Sequence, residues 1–295
     1  MTLRGIWAAV LTPVDQQYEP DAARAVPYYR RLLENGCDGL NLLGTTGEAP
    51  SFSLRQRLDF MQAIAQSDLP LERVMVGTGA ASLADAAALT SAAFELGFSA
   101  ALVMPPFYFR DLTDDAVMRY FESLFARTNP PGARVVLYNF PRMSGVKFGV
   151  ELVGRLVGAY PLVVSGLKES SNDRVLQGKL IERFPDLAIL PGSESSLPQT
   201  RAMGCAGCIS GSVALWPGPA AAAWKSDREG AARISQWREA LERRPLISAV
   251  RYLVSRARSD EEWLRSPPPL GLPDRANLDE LCATLDRLGY RPDEL

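Results

Sequence analysis

The sequence predicts an α/β fold, a (β/α)8 (TIM) barrel followed by a C-terminal helical extension. Short apolar runs typical of buried parallel strands alternate with segments whose apolar residues recur at helical spacing. Eight strand candidates fall within about the first 220 residues, which matches an eight-stranded barrel. A doubly wound open sheet is the alternative that the same alternation allows.

The predicted elements follow one another at a regular pace. The strands are residues 6–10, 39–43, 74–77, 101–104, 134–138, 162–168, 187–190 and 207–210. The helices between them are residues 22–34, 53–66, 83–96, 114–127, 150–158, 172–184 and 195–203. Ser53, Ser82 and Asn172 are candidate N-caps, because their side chains can accept hydrogen bonds from the free N–H groups of a first turn.

The last part of the chain has no strand pattern. We therefore assign residues 1–226 to the barrel and residues 227–295 to a helical extension, with helices predicted at 231–243, 246–256 and 278–288. The segment Ser-Pro-Pro-Pro at residues 266–269 predicts a turn between the last two helices.

Composition narrows the classes of function. The chain has 295 residues, of which 47% are hydrophobic and 22% charged, as in an ordinary soluble globular protein. A net charge of −2 gives no electrostatic reason to expect nucleic acid or an anionic membrane as partner, so small metabolites are the expected ligands. No apolar stretch approaches the roughly 20 residues of a membrane span and the N-terminus lacks a signal-peptide pattern, which predicts a cytoplasmic protein.

Histidine is absent from the sequence, which excludes Ser-His-Asp and Cys-His nucleophile systems and His-ligated zinc. Cys205 and Cys208 form a lone CxxC inside an apolar segment, whereas redox pairs open a helix. We predict buried thiols there, no metal site and no cofactor.

Lys168 is the most informative single residue. It ends the sixth predicted strand, where a charge after a buried run needs a reason. Desolvation favours the neutral amine, which can attack a carbonyl carbon and form a Schiff base. The alternative is a lysine that extends to the rim of the sheet or pairs with a carboxylate.

Other polar groups follow neighbouring strands, and in a barrel these strand ends form one face. Strand two ends in the Gly-Thr-Thr-Gly-Glu loop at 44–48, strand four in Pro-Pro-Phe-Tyr at 105–108, and strand five at Tyr138. The threonine loop could present N–H groups and hydroxyls to a carboxylate, or it could be a tight structural turn. Tyr138 and Tyr108 could equally be core aromatics.

Residues 77–79, Gly-Thr-Gly, match half of a dinucleotide fingerprint, but Ser82 stands where the third glycine would be. A nucleotide-dependent oxidoreductase on an open sheet is therefore a second interpretation. It requires this segment to bind pyrophosphate.

Three motifs together resemble the dihydrodipicolinate synthase / N-acetylneuraminate lyase superfamily of pyruvate-dependent class I aldolases. They are residues 44–48, residues 138–141 followed by Ser144 and Gly145, and residues 166–169 around Lys168. The resemblance implies a (β/α)8 barrel with a helical extension, assembled as a homo-oligomer, a tetramer of tight dimers or a dimer. It also implies that Lys168 forms a Schiff base with pyruvate, whose partner is a small aldehyde or 2-keto acid.

The same resemblance implies roles for further residues. Tyr138 matches the proton-transferring tyrosine, and Thr45 the threonine that links it to a second tyrosine. Tyr108 matches that second tyrosine, inserted from a neighbouring subunit. The substrate-binding positions that it implies are Gly44, Thr46, Gly192 and Ile209.

One departure bears on the substrate. Dihydrodipicolinate synthases carry an arginine two residues before Gly145, which holds the carboxylate of the aldehyde, whereas this chain has Met143 there and Arg142 beside it. The pattern is more similar to that of the 2-keto-3-deoxy sugar acid aldolases, so we expect that substrate class. The alternatives are a dihydrodipicolinate synthase that uses Arg142 and, from another class, a non-catalytic ketoacid-binding protein.

Overall fold

The computed structural model describes residues 3–128, 132, 134–271 and 274–291. Eight parallel strands form one sheet: β1 Gly5–Ala9, β2 Gly39–Leu42, β3 Val74–Gly77, β4 Ala100–Val103, β5 Val135–Asn139, β6 Val164–Glu169, β7 Ala188–Pro191 and β8 Gly207–Ser210. Their order is β7-β6-β5-β4-β3-β2-β1-β8. The two end strands also meet, since the Ala206 N–H donates to the Ile189 carbonyl at 2.9 Å. The sheet is thus a (β/α)8 barrel, which confirms the prediction. The alternative prediction of an open doubly wound sheet is wrong.

Helices surround the barrel and continue beyond it. They are α1 Ala22–Glu34, α2 Leu54–Ala65, α3 Leu83–Glu95, α4 Asp114–Thr128, α5 Pro141–Ser144, α6 Val150–Ala159, α7 Arg174–Arg183, α8 Leu197–Met203, α9 Pro217–Lys225, α10 Arg228–Glu242, α11 Leu246–Arg258 and α12 Arg275–Arg287. Short 3-10 turns lie at Ala49–Ser51, Leu71–Arg73, Ser212–Leu215 and Glu261–Leu264. None of the described helices is long and apolar enough to cross a membrane.

Two of the three predicted N-caps are confirmed. Ser53 accepts a hydrogen bond from the Gln56 N–H, and Ser82 accepts one from the Asp85 N–H. The prediction for Asn172 is wrong: Asp173 caps α7 by accepting from the Leu176 N–H at 2.9 Å, and Asn172 has a positive φ of 62°.

The sixth strand is shorter than predicted. It begins at Val164 rather than at residue 162, because Leu162 lies in a turn and is 90% exposed. Helix α9 was not predicted, since the prolines and glycine in its first turn resemble a loop in sequence.

Strand alternation divides the barrel into two apolar regions. Alternate residues such as Trp7, Met75, Leu102 and Ile209 form an inner cluster that fills the barrel. The residues between them face the helices. Every strand residue is buried except for two partly buried positions, which explains the near-continuous apolar runs of the sequence.

Helix α10 packs against α8 and α9, α11 packs against the turn at Ser212–Leu215, and α12 packs against α10 and α11. Trp237 of α10 lies 5.6 Å from the ring of Trp216, which follows the β8 loop, and 5.6 Å from that of Tyr290. The predicted boundary after residue 226 falls between the end of α9 and the start of α10, and the division into two domains stays a prediction.

Candidate active site

Lys168 and Tyr138 lie side by side inside the barrel. Strands β5 and β6 pair Tyr138 with Lys168 in register, and the outward neighbours are Leu137 and Leu167. Both side chains are therefore on the inner face, and each is 4% exposed. The Lys168 Nζ atom is 4.4 Å from the centroid of the Tyr138 ring.

The Lys168 amine has no carboxylate partner within ion-pair distance among the residues that the structure describes. The adjacent Glu169 is on the opposite face of β6, where Asn139 Nδ2 donates to it at 3.1 Å and Gln177 Nε2 at 2.8 Å. The Ser171 N–H also donates to Glu169, at 2.7 Å. The alternative that Lys168 pairs with a carboxylate is therefore wrong. The low exposure of the Lys168 side chain argues against the other alternative, extension to the rim of the sheet.

Thr45 contacts the same tyrosine that Lys168 contacts. The hydroxyl oxygens of Thr45 and Tyr138 are 3.2 Å apart, within hydrogen-bond distance. On its other side the Tyr138 ring stacks on Phe140, with ring centroids 5.9 Å apart. Lys168, Tyr138 and Thr45, predicted from three separate motifs, thus form one contiguous group.

Backbone strain flanks the threonine loop. Leu43 has a φ of 48° and Glu48 one of 54°, a left-handed conformation that side chains with a Cβ seldom adopt. Gly77 on β3 permits this turn, because a Cβ at that position would lie 2.2 Å from the Leu43 carbonyl oxygen. Thr46 packs against Gly211, where a Cβ would lie 2.7 Å from the Thr46 hydroxyl.

A small cavity of about 40 Å³ opens beside Tyr138. Its walls are Leu43, Gly44, Thr45, Ala49, Pro50, Gly77, Gly79, Leu102, Met104, Phe107 and Tyr138. Gly44 and Thr45 therefore line open space next to Tyr138, whose ring Lys168 contacts.

The glycines at 77 and 79 have structural roles. The Arg57 guanidinium donates to the Gly77 carbonyl at 2.8 Å and to the Gly79 carbonyl at 3.2 Å. A Cβ on Gly79 would lie 2.8 Å from the Met104 nitrogen. Close packing and a buried arginine account for this segment, so nothing here favours pyrophosphate binding.

Two further predicted positions adjoin the group. Ile209 of β8 is fully buried in the inner cluster that also holds Tyr138. Gly192 follows β7, and its N–H donates to the Glu169 carbonyl at 2.7 Å. A Cβ on Gly192 would lie 2.3 Å from the Ser170 hydroxyl, which explains the glycine.

Three predicted residues remain on the rim. Tyr108 is 76% exposed and contacts Phe109 edge-to-face, with ring centroids 5.4 Å apart. Arg142 and Met143 are exposed on the short helix α5, Met143 by 49%. Within a single chain the structure does not bring these three into the Lys168 group.

Arg110 is a rim residue that the sequence analysis missed. Its side chain lies over Gly145, whose Cβ position would be 2.7 Å from the Arg110 Nη1 and 2.9 Å from its Cδ. Gly145 caps α5, so Arg110 reaches the same short segment as Arg142 and Met143. The two residues that make this contact are 35 positions apart, and no local sequence pattern links an arginine to a distant glycine.

The cysteines are apart from this chemistry. Cys205 and Cys208 are free and buried, and burial raises the pKa of Cys205 to about 11 and that of Cys208 well above its usual value. No group of three or more Cys, Asp or Glu side chains within the described ranges could hold a metal ion.

The chain is similar to known proteins along most of its length. A model of the Dihydrodipicolinate synthetase family matches residues 2–254. An uncharacterised DapA-like lyase from Chloroflexus aurantiacus is 36% identical over 228 residues, 77% of this chain and 76% of that protein. N-acetylneuraminate lyase from Escherichia fergusonii is 31% identical over 190 residues, 64% of this chain and 62% of that protein.

The fold agrees with these sequence similarities. A crystal structure of dihydrodipicolinate synthase from Agrobacterium tumefaciens superimposes with a TM-score of 0.90 at 30% identity, covering 97% of this chain and 99% of that one.

Proposed function

This chain belongs to the dihydrodipicolinate synthetase family of aldolases and lyases, and we propose that it acts through a Schiff base between Lys168 and pyruvate or a larger 2-keto acid. The observation that carries the proposal is the Lys168 side chain, buried at a strand end beside Tyr138 without a carboxylate partner in the described parts of the chain. A lysine kept dry and unpaired is suited to nucleophilic attack on a carbonyl carbon.

In the cleavage direction the reaction begins at the C2 carbonyl. The Lys168 amine adds to C2, and Tyr138 donates the proton with which the C2 oxygen leaves as water; this gives a protonated imine that can accept an electron pair and leaves Tyr138 as a phenolate. Tyr138 takes the proton of the C4 hydroxyl, the C3–C4 bond breaks, and its electrons form the enamine while an aldehyde departs. Tyr138 then returns the proton to C3, and water hydrolyses the protonated imine to pyruvate and the free lysine, with the released proton going back to Tyr138.

The threonine loop has two roles in this scheme. Thr45 holds the Tyr138 hydroxyl in position, which the 3.2 Å separation supports. Thr46 and the loop N–H groups, with Gly44 lining the cavity, bind the carboxylate of the keto acid. Gly192 and Ile209 shape the adjoining wall.

Reductive trapping tests the lysine directly. Pyruvate with borohydride should leave a stable adduct on Lys168 and no other lysine, as located by peptide mass mapping. Lys168→Ala should form none. An adduct elsewhere, or an undiminished adduct in Lys168→Ala, would contradict the mechanism, and turnover of any aldol substrate would exclude a non-catalytic ketoacid-binding protein.

As the substrate that is cleaved we propose a 2-keto-3-deoxy sugar acid. With Met143 at the position of the synthases' arginine, a charge-assisted bidentate contact to a second carboxylate is missing. An unpaired carboxylate in a closing pocket costs roughly 2 kcal/mol or more, which is over tenfold in discrimination.

A dihydrodipicolinate synthase remains a second candidate, because Arg110 lies over Gly145 beside Arg142. Neither guanidinium has an ion-pair partner within the described ranges, so either could hold a second carboxylate. Kinetics decide between the two substrates. We expect wild type to cleave 2-keto-3-deoxy acids better than it condenses pyruvate with aspartate semialdehyde, whereas efficient condensation that collapses in Arg142→Ala or Arg110→Ala would identify a synthase.

We also propose that the protein works as a homo-oligomer, a dimer or tetramer. The exposed ring of Tyr108, next to Phe109, which is 67% exposed, supports a contact with a second copy. Sedimentation of wild type and of Tyr108→Ala would test it.

A further inference from the structure

The threonine loop is attached to the C-terminal helices through a buried ion pair. Glu48, the last residue of the loop, is 2% exposed, and Arg251 of α11 is fully buried. The Arg251 Nε donates to the Glu48 carboxylate at 2.7 Å, and its Nη2 donates to the same carboxylate oxygen. The Ser266 hydroxyl donates to the other oxygen, so both oxygens of Glu48 are engaged by the C-terminal part of the chain.

A second route joins Arg251 to the same loop. Its Nη2 donates to the Thr12 carbonyl at 2.8 Å, and the Thr12 hydroxyl donates to the Gly47 carbonyl at 2.9 Å. Thr12 is fully buried as well. One guanidinium therefore fixes both the side chain of Glu48 and, through Thr12, the backbone of the preceding residue.

The loop needs such support because its conformation is strained at both ends. Leu43 and Glu48 have left-handed φ values of 48° and 54°, and such residues persist only where their surroundings hold them. The Glu48 N–H donates to the Thr45 carbonyl at 3.1 Å, so a shift of Glu48 would move the residue that contacts Tyr138.

We propose that Arg251 and Glu48 are positioning residues for ketoacid binding: through their ion pair, the C-terminal helix α11 sets the geometry of the Thr45–Thr46 loop. The proposal rests on the proposed function, because it takes this loop to bind the ketoacid carboxylate. Stability alone does not explain the pair, since buried ion pairs are often no more stabilising than well-packed apolar residues. What the pair supplies is a fixed geometry, in which two N–H groups of the Arg251 guanidinium donate to one oxygen of Glu48 and the Ser266 hydroxyl donates to the other.

A matched control exists in the same extension. Arg244 is also largely buried, pairs with Glu280 at 3.2 Å and donates to the Asn277 and Ala240 carbonyls at 3.0 Å, and these contacts join α10 to α12 without involving a barrel loop. Arg244→Gln should lower thermal stability as other losses of ion pairs do, but it should leave the loop in place.

The test is the pyruvate concentration that gives half-maximal borohydride trapping on Lys168. We expect Arg251→Gln to raise it on the order of tenfold, since small misplacements of a binding group have effects of this size or larger. Arg251→Lys and Ser266→Ala, which retain part of the network, should raise it by smaller factors. Arg244→Gln should keep the wild-type value despite a lower melting temperature.

Each result decides the matter. A folded Arg251→Gln with the wild-type half-saturation, or an equal rise in Arg244→Gln, would overturn the proposal. If Arg251→Gln does not fold, unchanged values in both Arg251→Lys and Ser266→Ala would overturn it. Absence of any adduct in wild type would instead refute the proposed function, and this inference with it, so the two failures are distinguishable.

Discussion

Lys168 and Glu169 are neighbours in sequence, yet they lie on opposite faces of β6 and in different chemical environments. Glu169 is bonded to Asn139, Ser171 and Gln177, so its charge is compensated on the helix side. Lys168 faces the barrel interior, where its Nζ atom lies over the ring of Tyr138. The strand's two-residue period thus separates a carboxylate that is hydrogen-bonded in the barrel wall from an amine that faces the barrel interior.

Removing the Tyr138 hydroxyl should separate proton transfer from Schiff-base formation. We expect Tyr138→Phe to fold, to form some borohydride-trapped adduct and to lose on the order of 10²–10⁴ in kcat, the usual contribution of a positioned proton-transfer group. Steady-state cleavage assays and peptide mapping measure the two effects.

Tyr120 offers the matched control for this substitution. Its hydroxyl on α4 is buried without a hydrogen-bond partner in the described structure, and burial raises its pKa well above the usual value. Tyr120→Phe should therefore keep wild-type kcat and lose no stability. If Tyr138→Phe instead destabilises the fold, and the molecules that remain folded have the wild-type specific activity, Tyr138 is a core aromatic.

Sequence reasoning identified the residues of the site that belong to local motifs. Lys168 was recognisable because a charge ends an apolar strand, and Thr45 because glycines flank it. The partner of Glu48 was not recognisable, since Arg251 is 203 positions away in an ordinary amphipathic helix. Arg110 was missed for a similar reason, as its contact is with a glycine that has no side chain to suggest it.

At the level of elements, the start of α7 shows how one position changes a cap. Asn172 and Asp173 both have side chains suited to capping, and local sequence does not distinguish them. The chain leaves β6 through a left-handed turn at Asn172, so the carboxylate of Asp173 is the group that meets the Leu176 N–H. Asparagine tolerates that turn better than most residues.

Removing the α7 cap should destabilise the protein measurably. We expect Asp173→Ala to cost about 0.5–2 kcal/mol of unfolding free energy in urea at pH 7, while Asn172→Gly, which keeps the left-handed turn, stays within about 0.5 kcal/mol of wild type. A larger loss in Asn172→Gly than in Asp173→Ala would show that Asn172 is the cap.

The Asp173 effect should also depend on pH. The hydrogen bond from the Leu176 N–H, with a smaller contribution from Lys147, lowers the pKa of this carboxyl in the folded state. A lowered folded-state pKa means that its stabilisation is complete above the unfolded pKa of about 3.9 and is lost as pH falls below it. The difference between wild type and Asp173→Ala should therefore be smaller at pH 3 than at pH 7.

For the molecule as a whole, the alternating pattern predicted a parallel sheet covered by helices, because each strand and helix encodes its own period, and the eight strand candidates favoured a barrel over an open sheet. The docking of the C-terminal helices was not predictable, since it depends on contacts between distant residues. Trp216, Trp237 and Tyr290 are brought together from the loop after β8, from α10 and from beyond α12, with ring centroids 5.6 to 5.8 Å apart.

This shared aromatic cluster predicts that barrel and extension unfold together, whichever boundary separates them. We expect one urea transition, with coincident curves from far-ultraviolet circular dichroism and tryptophan fluorescence, the signature of a single cooperative unit.

Trp237→Ala should lower the unfolding free energy by about 3–5 kcal/mol, as for other buried aromatics. The substitution also removes the hydrogen bond from the Trp237 Nε1 to the Leu288 carbonyl. Trp224→Ala, at a partly buried position on α9, should cost less. Two separate transitions in wild type would show instead that the extension folds independently. A Trp237→Ala protein in which the barrel stays folded while the helices of the extension unfold would show the same.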